Sequence, residues 1–136
     1  LDFGLAKTLG PSNDVSLTAT NSVFGSPQYM SPEQMRSAKD VDARSDIWSA
    51  GVCLFELLTG RVPFATDTTI ATLMARVDTP VEVPAELGPL RGVLERAGRS
   101  DPDERPDSGE FVVGLLAAAE DLDRPAPLPL VGATAA

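Results

Sequence analysis

The stretch Ile47-Trp48-Ser49-Ala50-Gly51-Val52-Cys53-Leu54-Phe55-Glu56-Leu57-Leu58 decides the fold class. Wound as a helix, it is apolar nearly all round, the pattern of a helix buried on every side that acts as the central post of a domain. Ser45 or Asp46 is placed to cap its start. Thr59-Gly60 ends it, since Gly60 can take the left-handed conformation that closes a last turn. Pro63-Phe64 follow as a turn. Cys53, the only cysteine, cannot form an intrachain disulfide, and its apolar setting predicts a buried structural thiol rather than a reactive one.

Outward from this post the apolar spacing stays helical. Ile70, Leu73, Met74 and Val77 predict an amphipathic surface helix over 67–77. Val81 to Pro84 read as extended and proline-bounded. Leu87 to Ala97 predict a further helix with Leu90, Val93, Leu94 and Ala97 on one stripe. A turn at Asp101-Pro102-Asp103-Glu104-Arg105-Pro106 leads to a last helix, opened by a capping box of Asp107 and Glu110 and buried through Phe111, Leu115, Ala118 and Leu122. On the other side, Ser31-Pro32-Glu33-Gln34 reads as a helix start: a serine cap, proline at the first helical position and glutamine at the return position. Residues 1–30 are rich in Gly, Ser, Thr and Asn and predict a long loop, which in a compact domain is usually functional or disordered. Residues 123–136 alternate proline with small side chains, bury too little to fold, and are expected to form a disordered tail or linker.

The chain has 136 residues, 43% hydrophobic and 23% charged, which suits one compact domain or part of a larger one. Its net charge of −9 repels phosphate backbones and anionic headgroups, so no nucleic-acid partner is expected. The absence of histidine excludes a histidine-based triad or a histidine-ligated metal within these residues. No apolar run approaches the roughly 18 residues of a membrane span. The first residue is Leu1 rather than methionine, from which further chain upstream is expected.

Chemistry enters with an ordered series: Asp2-Phe3-Gly4, then Ser31-Pro32-Glu33, then Asp46-Ile47-Trp48-Ser49-Ala50-Gly51, and much later Arg105-Pro106. Any one is a weak match, but their order and spacing resemble the C-terminal half of the bacterial, eukaryotic-like serine/threonine protein kinase family. The resemblance covers residues 1–122. It implies an activation segment at 2–33 and the mainly α, helical C-terminal lobe of the kinase fold at 31–122. It further implies transfer of the ATP γ-phosphate to serine or threonine of protein substrates, with ATP and Mg²⁺ as cofactors. The expected location is the cytoplasm, whether as a free enzyme or as the cytoplasmic part of a membrane-anchored one.

Carried over residue by residue, the resemblance makes Asp2 the hard-oxygen ligand of ATP-bound Mg²⁺. Phe3 would pack inward to set its direction, and Gly4 would give the backbone freedom to flip. Thr18 and Thr20, with Ser16 and Ser22 behind them, would be activation-loop phosphoacceptors, set against the alternative of a merely solvated hydroxyl-rich loop. Gly25-Ser26-Pro27-Gln28-Tyr29-Met30 matches the loop that receives the residue following the target hydroxyl. Ser26 stands where the family usually has threonine, and Ser31 where it usually has alanine; the hydroxyl of Ser26 points to Ser/Thr substrates. Tyr29 is expected to pack rather than be modified. Glu56 would face a basic residue of the substrate or satisfy an internal hydrogen bond or ion pair. Glu33 would pair with Arg105 as scaffold, and Asp46 would bond backbone amides of the catalytic loop. Trp48 would fill the post and Gly51 permit close approach.

The family's Gly-rich loop, ATP-positioning lysine and His-Arg-Asp catalytic loop have no counterpart in these residues. No general base is therefore present, the missing N-terminal kinase half is an expected partner, and the isolated chain is expected to be inactive. Two other readings compete: a truncated or degenerate kinase half acting as a non-catalytic interaction module, and an unrelated helical domain. The last predicts that Glu33 and Arg105 lie far apart.

Overall fold

The computed structural model describes residues 27–124, apart from 38 and 40. A single 3₁₀ turn at Pro27–Tyr29 precedes helix α1, Pro32–Arg36. The Ser31 hydroxyl accepts from the Gln34 amide, and the Ser31 amide donates to Gln34 Oε1 at 2.8 Å, so both halves of the capping box form.

Helix α2, Ala43–Thr59, is the post, but its start and its surroundings differ from expectation. The cap is Asp42, whose carboxylate accepts from the Arg44 amide at 2.8 Å. Ser45 cannot serve because it is buried inside the first turn and donates to Glu33 at 2.7 Å. Ile47, Trp48, Gly51, Val52 and Phe55 are buried, whereas Ala50, Cys53, Leu57 and Leu58 are exposed, Leu57 to 82%. The helix is therefore covered on one side only among the described residues, and Cys53 sits on the open side. Gly60 ends it in the left-handed region at φ 74, where a side chain would strain the backbone, and its N–H closes the turn on Glu56 O at 2.7 Å.

Helix α3, Thr69–Ala75, is capped by Thr68 and turns the opposite way from its apolar spacing. Thr72 and the following Arg76 are buried, Leu73 and Val77 half-buried, and Ile70 and Met74 exposed. Specific polar partners decide this: the Thr72 hydroxyl accepts from the Thr66 amide at 3.1 Å, and Arg76 reaches inward to backbone carbonyls. Val81 and Val83 alternate into the core from an extended segment pinned by Val81 N–H to Gly98 O at 3.2 Å.

Helix α4, Leu90–Ala97, begins three residues later than its stripe suggests, because Ala85–Leu87 form a separate 3₁₀ turn that Gly88 breaks at φ 52. Leu94 and Ala97 are buried as expected, with Leu90 and Val93 half-buried. Helix α5, Ser108–Glu120, opens on the reciprocal Asp107–Glu110 box and buries Phe111 and Ala118; Leu122 lies past its end and is exposed. Two clusters make the core, Trp48, Val52, Phe55, Val81, Val83 and Leu94 in one, Ile47, Ala97 and Phe111 in the other. Gly51 lets α2 and α4 touch: a Cβ there would lie 2.9 Å from that of Ala97. The described residues contain no strand, and the architecture is mainly α. No helix among them is long and apolar enough to cross a membrane.

Candidate functional site

The most completely bonded point in the structure joins two distant segments. Glu33, in the first turn of α1, meets Arg105, 72 residues later in the turn before α5. Nη1 donates to Oε1 at 2.6 Å and Nη2 to Oε2 at 2.8 Å, the parallel fork that guanidinium and carboxylate form best. The remaining N–H groups reach three carbonyls: Nη1 to Arg44 at 3.0 Å, Nη2 to Ser100 at 3.1 Å and Nε to Arg99 at 2.7 Å. All five donors of the arginine are thus used. Its charge also lies over the Trp48 ring, 5.2 Å from the centroid. Burial by itself would raise the Glu33 carboxyl, but hydrogen bonds from Arg105 and Ser45 more than offset it and hold the pKa at about 2.

Directly before α1, residues 27–30 are held from beneath. Arg76 Nη1 donates to the carbonyls of both Pro27 and Met30 at 3.1 Å. Ser49, on α2, donates to the Tyr29 carbonyl at 2.8 Å. The Tyr29 hydroxyl donates to Glu56 Oε2 at 2.5 Å, and this bond, with burial behind it, pushes the phenol above its ordinary value. Tyr29 is half-buried and packs on the core; Glu56 takes the internal hydrogen bond that was one of its two expected uses. Spacing gave no sign of Arg76, Ser45 or Ser49 in these roles. Each is a single polar residue inside a helical pattern, and only its inward direction marks it.

The family described as the protein kinase domain matches residues 1–114. The chain belongs to that family. Similar proteins include the probable serine/threonine-protein kinase PknB of Lactococcus lactis, 37% identical over 128 residues that cover 90% of this chain and 20% of the relative. The serine/threonine-protein kinase PknB of Mycolicibacterium smegmatis is 41% identical over 110 residues, 77% of this chain and 17% of the relative. PknA of Corynebacterium glutamicum, also a serine/threonine-protein kinase, is 38% identical over 119 residues, 85% of this chain and 24% of the relative. The chain thus spans about a fifth of the length of these kinases.

Within the kinase domain the structure places the expected residues unevenly. It brings Glu33, Trp48 and Arg105 together and sets Gly51 against Ala97 one turn further along the post. Asp46 is exposed in the first turn of α2, and its side chain makes no hydrogen bond or ion pair with other described residues. Asp2, Phe3, Gly4, Ser16, Thr18, Thr20, Ser22 and Ser26 lie outside the described residues, as does the tail from 125 onward. Among the described residues no cluster of three or more Asp, Glu, Cys or His side chains could hold a metal ion.

Proposed function

We propose that these residues are the activation segment and substrate-binding lobe of a serine/threonine protein kinase, which transfers the γ-phosphate of ATP to serine or threonine of proteins in the cytoplasm. Mg²⁺ and ATP would supply the transferable phosphoryl group and the charge that neutralises it. From this chain only Asp2 would reach the metal; the described residues offer no metal-binding set of their own. What these residues contribute is a substrate ledge. The Glu33–Arg105 joint carries the proposal, because it fixes the start of α1, and with it the adjoining loop 27–30, to the C-terminal helices. Ser26 would lie against the incoming hydroxyl, with Thr18 or Thr20 phosphorylated in the active state. The N-terminal kinase half is the partner that would cover the open side of α2, where Cys53 and Leu57 stand exposed.

The test is phosphate transfer from labelled ATP to a protein substrate by the gene product carrying both kinase halves. Labelling on serine and threonine is expected, with mass spectrometry finding phosphate on Thr18 or Thr20. Asp2→Ala should lower the rate by roughly a hundredfold or more, the scale of losing one main electrostatic group. The 136 residues alone should label nothing. Full activity of Asp2→Ala would refute the metal-ligand role of Asp2, and catalysis by these residues alone would refute their dependence on the other half. No labelling by the complete gene product would leave a non-catalytic interaction module as the better reading.

A further inference from the structure

Arg76 is fully buried at the C-terminal end of α3, yet among the described residues it faces no carboxylate. Its Nη1 bonds the first and last carbonyls of the short turn at residues 27–30, whose own closing bond is Met30 N–H to Pro27 O at 3.2 Å. Nε and Nη2 are buried with no partner among the described residues. Arg105 in the same structure uses every donor it has, so the two buried arginines serve different ends. A buried guanidinium with unmet donors is a poor stabilising device; an apolar side chain of similar volume usually does as well or better. Burial also lowers its pKa below the ordinary arginine value. What Arg76 supplies, and an apolar residue could not, is one nitrogen that holds two carbonyls at a fixed separation.

The rest of the turn is fastened just as locally, Tyr29 through its carbonyl to Ser49 and through its hydroxyl to Glu56. Gln28 alone in this turn is exposed. The turn is thus anchored below and presents its upper face. Resting on the kinase assignment above, we propose that Arg76 is a positioning residue for substrate recognition: by clamping residues 27–30 from α3 it sets how strictly the kinase reads the residue following the phosphorylated hydroxyl. It touches no substrate itself.

The experiment compares Arg76→Met, which keeps volume without donors, and Arg76→Lys, which keeps a charged donor, with the unaltered kinase carrying both halves. The first measurement is the ratio of kcat/KM for two peptides differing only in the residue after the phosphoacceptor. Arg76→Met should lower that discrimination roughly fivefold, the worth of an ordinary hydrogen bond, without lowering Tm. Arg76→Lys should recover at least half of it. Unchanged discrimination in Arg76→Met overturns the proposal. So does a fall in Tm with lysine no better than methionine, the mark of a merely structural residue. The second measurement is amide hydrogen exchange over residues 28–31, which needs no activity. Exchange there should quicken about fivefold in Arg76→Met and slow again in Arg76→Lys; unchanged exchange removes the clamp. If the unaltered protein phosphorylates nothing, the kinase assignment fails on its own, and exchange still decides whether Arg76 holds the turn.

Discussion

Replacing Glu33 by glutamine keeps the shape of the side chain and one acceptor oxygen but removes its charge, leaving Arg105 buried and uncompensated. The side chains of Arg105 and Glu33 are 0% and 9% exposed, so solvent screens this loss little. The fall of the Glu33 pKa from its ordinary 4.5 to about 2 converts, at about 1.4 kcal/mol per pH unit, to about 3 kcal/mol of folded-state stability. That agrees with the roughly 3–5 kcal/mol typical of breaking one partner of a buried pair. The folded pKa lies below the unfolded one. The contribution is therefore complete above about pH 4.5 and disappears as pH falls toward 2. Urea denaturation of the kinase domain, run for both proteins from pH 7 down to pH 2, isolates the effect in the difference between the two curves, since the other acidic residues titrate alike in each. The gap should be about 3 kcal/mol at pH 7 and close between pH 4.5 and 2. A gap below about 1 kcal/mol at pH 7, or one that does not narrow on acidification, would show that the pair is no more than a surface contact.

Gly51→Ala should destabilise by about 1–3 kcal/mol in thermal or urea melts although alanine favours helix, because its Cβ would meet that of Ala97 at 2.9 Å. Adding Ala97→Gly should restore part of the loss, and additive losses would refute steric contact as the cause. Glu56→Ala removes the acceptor that holds the Tyr29 proton, so the tyrosinate absorbance change should move to lower pH, toward the ordinary 10.0. An unmoved titration would mean that the Tyr29–Glu56 bond does not form in solution.

Local chemistry made much of the fold legible. The two capping boxes, Ser31 with Gln34 and Asp107 with Glu110, satisfy their amides among near neighbours and stand in the structure as the sequence implied. The α4 stripe of Leu90, Val93, Leu94 and Ala97 also packs as its spacing indicates. Where several residues could do one job, spacing could not choose. Asp42, Ser45 and Asp46 are all able caps; the inward bond of Ser45 to Glu33 removes one of them, and the helix starts early enough that Asp42 caps it and Asp46 falls inside its first turn. Periodicity also says which side chains are apolar but not whether anything lies against them, which is why Cys53 and Leu57 proved exposed. On α3 it pointed the wrong way, since two polar residues with long-range partners outrank Ile70 and Met74. At the site, nothing in spacing joins residue 33 to residue 105; that expectation came from family resemblance alone. The clamp of Arg76 on two carbonyls was visible in neither.

The 72-residue separation of Glu33 and Arg105 also bears on the order in which the chain folds. Closing a loop that long costs several kcal/mol of chain entropy, on the order of 4 by simple polymer scaling, before any bond repays it. The pair is therefore expected to close after α2, α4 and α5 have packed and brought its ends together. Interactions made that late leave the folding rate nearly untouched and fall almost wholly on the rate of unfolding. The joint between α1 and the last turn then works as a latch: it governs how long the domain stays folded rather than how quickly it gets there.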